Sequence, residues 1–182
     1  MRTARLVLRR WRSEDRAPFA ELNADPKVMR YFPSLLDRAA SDALIDRIEA
    51  GFDERGYGLW AVDRLDTQSF IGFVGLSVPR FEAHFTPAVE IGWRLATSSW
   101  GQGFATEAAF RVVAAGFDEF GLDQIVSFTA KLNTPSIAVM RKLAMTHNPV
   151  DDFDHPTLPP GHPLQRHVLY RLRSHHQARA GT

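Results

Sequence analysis

The sequence predicts an α/β (α+β) chain built on a mixed central sheet with helices on both faces. Three observations carry this. Short strand-like runs arrive in hairpin series in the middle of the chain. Helical stripes separate the other strands. A glycine loop joins one strand to the strongest helix. The predicted order is β-α-α-β-β-β-α-β-α-β-β, about seven strands. It excludes a pure doubly wound sheet and a barrel.

Residues 4–11 read as the first strand. Ser13 is the expected cap of a helix over 14–24, with Ala17, Leu22 and Ala20 or Phe19 at near-helical spacing. Asp25-Pro26 ends it, and a short helical turn holds Val28, Met29 and Tyr31. A longer helix is expected over 38–55, where Leu44, Ile45, Ile48 and Phe52 form one stripe before Gly56. Strands follow at 57–64 and 69–78, joined by Asp66-Thr67-Gln68-Ser69. Pro79 and Pro87 bound a loop with Phe81, Glu82, His84 and Phe85.

Residues 88–96 read as another strand, with Glu90, Gly92 and Arg94 on one face and Val89, Ile91, Trp93 and Leu95 on the other. A helix over 104–120 follows, with an expected buried stripe of Phe110, Val113, Ala114, Phe117 and Phe120, and Gly121 as its stop. Strand 124–130 leads to a helix capped by Thr134, with Pro135 in its first turn, running to 143. Two last strands, near 145–150 and 165–173, flank a proline-rich excursion, 149–163.

The 182 residues suit a single domain over 1–174, with 175–182 a frayed tail. Hydrophobic residues make up 45%, enough for a core. The formal net charge is +1 with scattered basic residues, which gives no basic stripe for nucleic acid. No cysteine is present, which removes disulfides, thiolate ligands and a thiol nucleophile. No apolar run reaches the roughly 18 residues of a membrane span. The basic start is not followed by a signal-type apolar region. A cytoplasmic protein without membrane or nucleic-acid partners is expected, as a monomer or homodimer.

Trp100-Gly101-Gln102-Gly103-Phe104-Ala105 lies between a strand and a helix N-terminus. Orphan N–H groups and the helix dipole make that junction an anion site. A tight turn without ligand explains the spacing equally well. A P-loop needs Lys-Ser/Thr after its last glycine, and the dinucleotide fingerprint needs a third glycine. Neither is present.

With its neighbours the loop resembles the GNAT acetyltransferase superfamily, in its ribosomal-protein N-terminal (RimJ/RimL-like) branch. The likeness rests on Val89-Glu90-Ile91-Gly92-Trp93-Arg94-Leu95-Ala96, on Trp100-Gly101-Gln102-Gly103-Phe104-Ala105-Thr106-Glu107-Ala108, and on Asn133-Thr134-Pro135-Ser136 with Met140 and Leu143. The opening Thr3-x-Arg5-Leu6-x-Leu8-Arg9 extends it over nearly the whole chain. Two departures stand out. Trp100 replaces the superfamily's usual Gln or Arg, and Ala144-Met145 replaces its Gly-Phe.

The resemblance implies the GNAT fold, a mostly antiparallel sheet, and acetyl transfer from acetyl-CoA to a primary amine without a metal. It implies that the strand of Trp93, Arg94 and Leu95 opens to expose backbone groups to pantetheine. Gly101, Gln102, Gly103, Phe104, Ala105 and Thr106 would hold the pyrophosphate, with Trp100 and Met140 also on the cofactor. Glu90 is the candidate base, directly or through water; otherwise it is a solvated strand carboxylate. Ser136 is the candidate group near the leaving sulfur, and Asn133 contacts the pantetheine or orients that site. Both residues also suit plain capping. Lys131, Arg141 and Lys142 could meet the adenosine phosphate, although a solvated basic face is the simpler reading. His155, His162 and His167 match no compact zinc spacing. Their excursion, the 79–87 loop, Tyr31 and Phe32 are expected to set acceptor choice. The acceptor is a protein N-terminal α-amine or a small amine. A non-catalytic acyl-CoA-binding module and, more weakly, a dinucleotide enzyme remain alternatives at this level.

Overall fold

A computed structural model describes residues 1–174; the expected frayed tail, 175–182, lies outside them. Eight strands and four α-helices follow one another: β1 (Leu6–Arg9), α1 (Arg16–Ala24), α2 (Arg38–Arg55), β2 (Leu59–Arg64), β3 (Phe70–Ser77), β4 (Glu90–Leu95), α3 (Phe104–Asp118), β5 (Gln124–Ala130), α4 (Thr134–Lys142), β6 (Thr146–His147), β7 (Phe153–Asp154) and β8 (Arg166–Arg173). They form one mixed sheet ordered β1-β2-β3-β4-β5-β8-β6, with β7 also on β8. Among the described strands only β4 and β5 run parallel, because α3 crosses over between them. The extra strand is β7. Phe153 is buried and pairs with His167, which gives the proline-rich excursion a fixed point on the sheet.

The faces of the sheet follow from the period-2 alternation. Leu76 and Ile125 press on Gly116 of α3, and Ile91 pairs with Leu76 on that face. Phe73 points the other way and meets Phe19 of α1, ring centroids 6.0 Å apart. Glu90, Gly92 and Arg94 therefore share the α1/α2 face of β4, while Ile91, Trp93 and Leu95 share the α3/α4 face.

Local details shift where tertiary contacts compete with periodicity. Ser13 opens a single 3-10 turn and makes no side-chain cap. The buried Asp15 takes the Arg12 backbone N–H instead, at 2.8 Å, and a two-pronged pair with Arg9 at 2.6 and 2.7 Å. Arg9 also grips Asp63, so one guanidinium ties β1, β2 and the start of α1 together. Ala17 is exposed, and Phe19 and Leu22 carry the buried side of α1.

The stripe of α3 is rotated from the expected one. Ala108, Ala109, Val112, Val113, Ala115 and Gly116 are buried, whereas Phe110 is 51% exposed and Ala114 is exposed. Small residues lie against the sheet because Gly116 leaves no room for a Cβ: one would meet Ile125 at 2.7 Å. Thr134 is not the cap of α4. Asn133 caps it, accepting from the Ser136 N–H, and Pro135 sits in the first turn. Ala144 has φ 58°, the left-handed conformation that a glycine adopts without strain.

Candidate active site

The glycine loop turns on two positive angles, φ 73° at Gly101 and 81° at Gly103, so both positions demand glycine. Gly103 is the N-cap of α3, and its left-handed turn aims the first N–H groups of the helix, from Phe104 to Thr106, outward. A Cβ at Gly101 would meet nothing within 4 Å, which leaves the approach to this cradle open. Phe104 is buried as its floor, with the Arg5 and Arg64 guanidinium carbons 4.5 and 5.0 Å from the ring centre.

Glu107 does more than add charge near a helix start. It accepts from Thr3 Oγ1 at 2.6 Å, the Arg5 backbone N–H at 2.9 Å and Arg5 Nε at 2.6 Å. Arg5 reaches on to the Gln102 carbonyl at 3.0 Å. These bonds clamp the chain start to the loop. Sequence reasoning passed over this role; the only available signal was Thr3 and Arg5 in the opening motif.

Trp100 resolves one departure from the superfamily pattern. Its indole N–H donates to the Leu95 carbonyl at 2.8 Å, while half its surface stays exposed. It braces the end of β4 where the strand leaves the sheet.

The second element of the site is a gap between β4 and β5. The ladder has one register pair, Glu90 with Val126, with a bond from the Val126 N–H to the Val89 carbonyl. Beyond it the strands part. Ser127 fixes the branch point by donating its hydroxyl to the Ile91 carbonyl at 2.9 Å. Even-numbered residues of β4 bond to β3, so the odd-numbered backbone groups face the gap. Trp93 thus presents its N–H and carbonyl there, and Leu95 its N–H. The structure brings Trp93 and Ser136 together: the indole N–H donates to Ser136 Oγ at 3.3 Å across the gap. Asn133 braces the same corner, capping α4 and donating to Thr129 Oγ1 at 2.9 Å. Met140 is 1% exposed, so its side chain packs the core and does not line the gap.

Glu90 sits at the mouth of the gap, on the opposite face from Ser136. It keeps some surface open to solvent yet is ringed by protein. Burial pushes its carboxyl up to about 8, which Ser77, opposite it on β3, partly offsets. Gly92, on the same face, leaves space: a Cβ there would meet only Glu90 Oε1, at 3.9 Å.

The Arg94 side chain lies away from the cofactor cradle. It crosses the α1/α2 face to donate from Nη1 to Asn23 Oδ1 at 2.5 Å and lies over Phe32 at 4.1 Å. Asn23 is itself held by Ser41, both fully buried. Burial lowers the Arg94 guanidinium to about 10.

The 79–87 loop and the 149–163 excursion meet beside β5. Phe81 lies 4.5 Å from His155 and Phe85 5.0 Å from Phe153, over Phe128. Burial, with the neighbouring His167, depresses His155 to about 4. These histidines pack as rings. Among the described residues no group of three His, Asp or Glu could hold a metal ion.

Comparison with known proteins decides what the two elements belong to. The acetyltransferase (GNAT) domain family matches residues 5–146.

The chain belongs to the GNAT acetyltransferase family.

The uncharacterized protein YkkB of Bacillus subtilis (strain 168) is 31% identical over 149 residues, covering 80% of this chain and 84% of that one. The FsC-acetyl coenzyme A-N(2)-transacetylase of Aspergillus fumigatus (strain ATCC MYA-4609 / CBS 101355 / FGSC A1100 / Af293) is 30% identical over 168 residues, 88% of this chain and 71% of that one. The solved acetyltransferase from Agrobacterium tumefaciens str. C58 superimposes with a TM-score of 0.76 at 25% identity, covering 96% and 94%. This GNAT chain is thus an N-acetyltransferase that uses acetyl-CoA. No helix among the described residues is long and apolar enough to cross a membrane.

Proposed function

We propose that this enzyme, in the RimJ/RimL-like branch, moves acetyl directly from acetyl-CoA to a primary amine in the β4–β5 gap. The acceptor amine enters from the Glu90 face. The observation that carries this is the placement of Glu90 at the last paired position of β4, where the ladder ends and the odd-numbered backbone edge opens. The N–H groups of Phe104, Ala105 and Thr106, with the loop through Gly101, Gln102 and Gly103, receive the pyrophosphate. The Trp93 and Leu95 backbone groups receive the pantetheine amides and the thioester carbonyl. A preorganised N–H at that carbonyl stabilises its developing charge.

Ionised Glu90 takes the proton of the incoming ammonium, directly or through one water, and the freed nitrogen attacks the acetyl carbon. Ser136 accepts from Trp93, so its own hydroxyl proton points elsewhere. As the C–S bond breaks it passes that proton to the departing thiolate and takes up, directly or through water, the second proton that the nitrogen sheds, which leaves the serine neutral. Asn133 keeps Ser136 in place. Phe81, His155, Tyr31 and Phe32 wall the acceptor side. Thiol release from acetyl-CoA, measured against a panel of peptide α-amines and small amines, tests this reading. Transfer to at least one class is expected. Tight CoA binding with no transfer to any amine would mark a non-catalytic acyl-CoA-binding module.

A further inference from the structure

Among the described residues Arg94 is a cation without a counter-ion. Its one hydrogen bond to them goes to a neutral amide, Asn23, from Nη1. Nε is out of reach of solvent and has no partner among them, and Nη2 makes no bond to them. Enclosed guanidinium N–H groups are normally satisfied, because leaving them unmade is costly. Here the surroundings hold the group still and leave Nη2 open to solvent. Phe32 and Phe73 flank the guanidinium carbon at 4.1 and 5.4 Å, and the Asn23–Ser41 bond fixes the far side. Nη2, which keeps solvent access, is the donor free to meet a carboxylate oxygen in a charge-assisted bond.

The position of this donor narrows its use. Arg94 and Glu90 lie on one face of β4, four residues apart, or about 13 Å between Cα atoms at strand spacing. Gly92 stands between them and puts no side chain in the way. Phe32 belongs to the segment between α1 and α2, which covers this face. An acceptor whose amine reaches Glu90 therefore extends its far end along β4 toward Arg94.

We propose that Arg94 is a specificity-determining residue that binds a carboxylate carried by the amine acceptor, several bonds from the nitrogen to be acetylated. This rests on the amine entering from the Glu90 face. The acceptors it favours are ω-amino acids and short peptides with a free C-terminal or side-chain carboxylate. A neutral amine of the same length leaves the cation without an anion.

The test compares matched pairs on the full chain with saturating acetyl-CoA: 6-aminohexanoate against its amide, and glycylglycine against glycylglycinamide. A charge-assisted bond to Nη2 predicts a kcat/KM preference for the carboxylate on the order of 10- to 100-fold in the better pair. Arg94→Gln brings that ratio near one, and Arg94→Lys, which keeps the charge but not the planar group held by Asn23 and Phe32, leaves an intermediate ratio. A wild-type ratio near one in both pairs, or a ratio unchanged in Arg94→Gln, overturns the proposal. If no amine in the panel is acetylated, the reading of the Glu90 face as a catalytic site fails on its own. The Arg94 claim is then judged by calorimetric binding of N-acetylglycylglycine and its amide to the CoA-loaded protein. The same preference supports it, and equal affinities or no binding refute it.

Discussion

Replacing Glu90 with glutamine should leave stability nearly unchanged at pH 4 and raise it at pH 9. The Glu90 carboxyl ordinarily titrates at 4.5, and burial lifts it to about 8 in the folded chain. Below 4.5 both folded and unfolded chains carry the proton, and the group adds no pH dependence. Between 4.5 and 8 the unfolded chain releases its proton while the folded chain keeps it. Stability therefore falls as pH rises through this window and levels above the folded value. Each tenfold difference in proton affinity is worth about 1.4 kcal/mol. By pH 9 the ionised group costs the fold on the order of 3–5 kcal/mol, toward the lower end because the residue is not fully buried. Glutamine keeps the shape and removes the charge. Urea unfolding of both proteins at pH 4 and pH 9, with equal slopes, reads the difference directly. A stability gain for E90Q that grows with pH is expected. A difference independent of pH, or one that favours the wild type at pH 9, would show Glu90 to be an ordinary solvated carboxylate.

Gly92→Val should abolish transfer while the melting temperature changes little, since a Cβ at this position meets only Glu90 Oε1 at 3.9 Å; a thermal melt beside a thiol-release assay checks both. Ser136→Ala should leave stability within about 0.5 kcal/mol, because Asn133 and not Ser136 caps α4. It should also lower kcat by roughly 10- to 100-fold, at the low end for loss of a positioned proton donor; an unchanged kcat would confine Ser136 to bracing Trp93. Ala144→Gly should stabilise the fold by about 1 kcal/mol, offset in part by the freer unfolded chain, because φ is 58° at that residue; denaturant midpoints measure it.

Where local pattern and tertiary packing agree, the elements could be read from residues alone. The stripe of Ile45, Ile48 and Phe52 with Gly56 behind it defines α2 at the expected ends, 38 and 55, and Gln124–Ala130 matches its expected strand. Packing overrode periodicity on α3. Phenylalanines suggested a bulky stripe, yet a helix lying close on Leu76 and Ile125 needs small residues, and Phe110 turned outward. A two-residue strand such as β7 has no period to detect. Its evidence is long-range, in Phe153 facing His167.

The site divides along the same line. Gly101 and Gly103 were legible because positive φ leaves a residue signature. The parting of β4 from β5 was not derivable from local spacing, since it depends on two strands more than 30 positions apart, and only the family resemblance foresaw it. The alternation within β4 placed Glu90, Gly92 and Arg94 together. What it could not show is that the Arg94 side chain is held by Asn23 and Phe32, far along the chain, or that Met140 faces the core. The Trp100 indole, which departs from the wider pattern, is explained by one contact, the Leu95 carbonyl.

The central claim is that Glu90 withdraws a proton at the open edge of β4. The most direct test is kcat/KM for one amine acceptor, with acetyl-CoA saturating, across pH 6 to 9.5 in wild type and E90Q. Dividing one profile by the other removes the acceptor's own titration. The account predicts a wild-type advantage that rises about tenfold per pH unit and levels near pH 8, where the Glu90 carboxyl titrates. A ratio that stays flat across the range would contradict it.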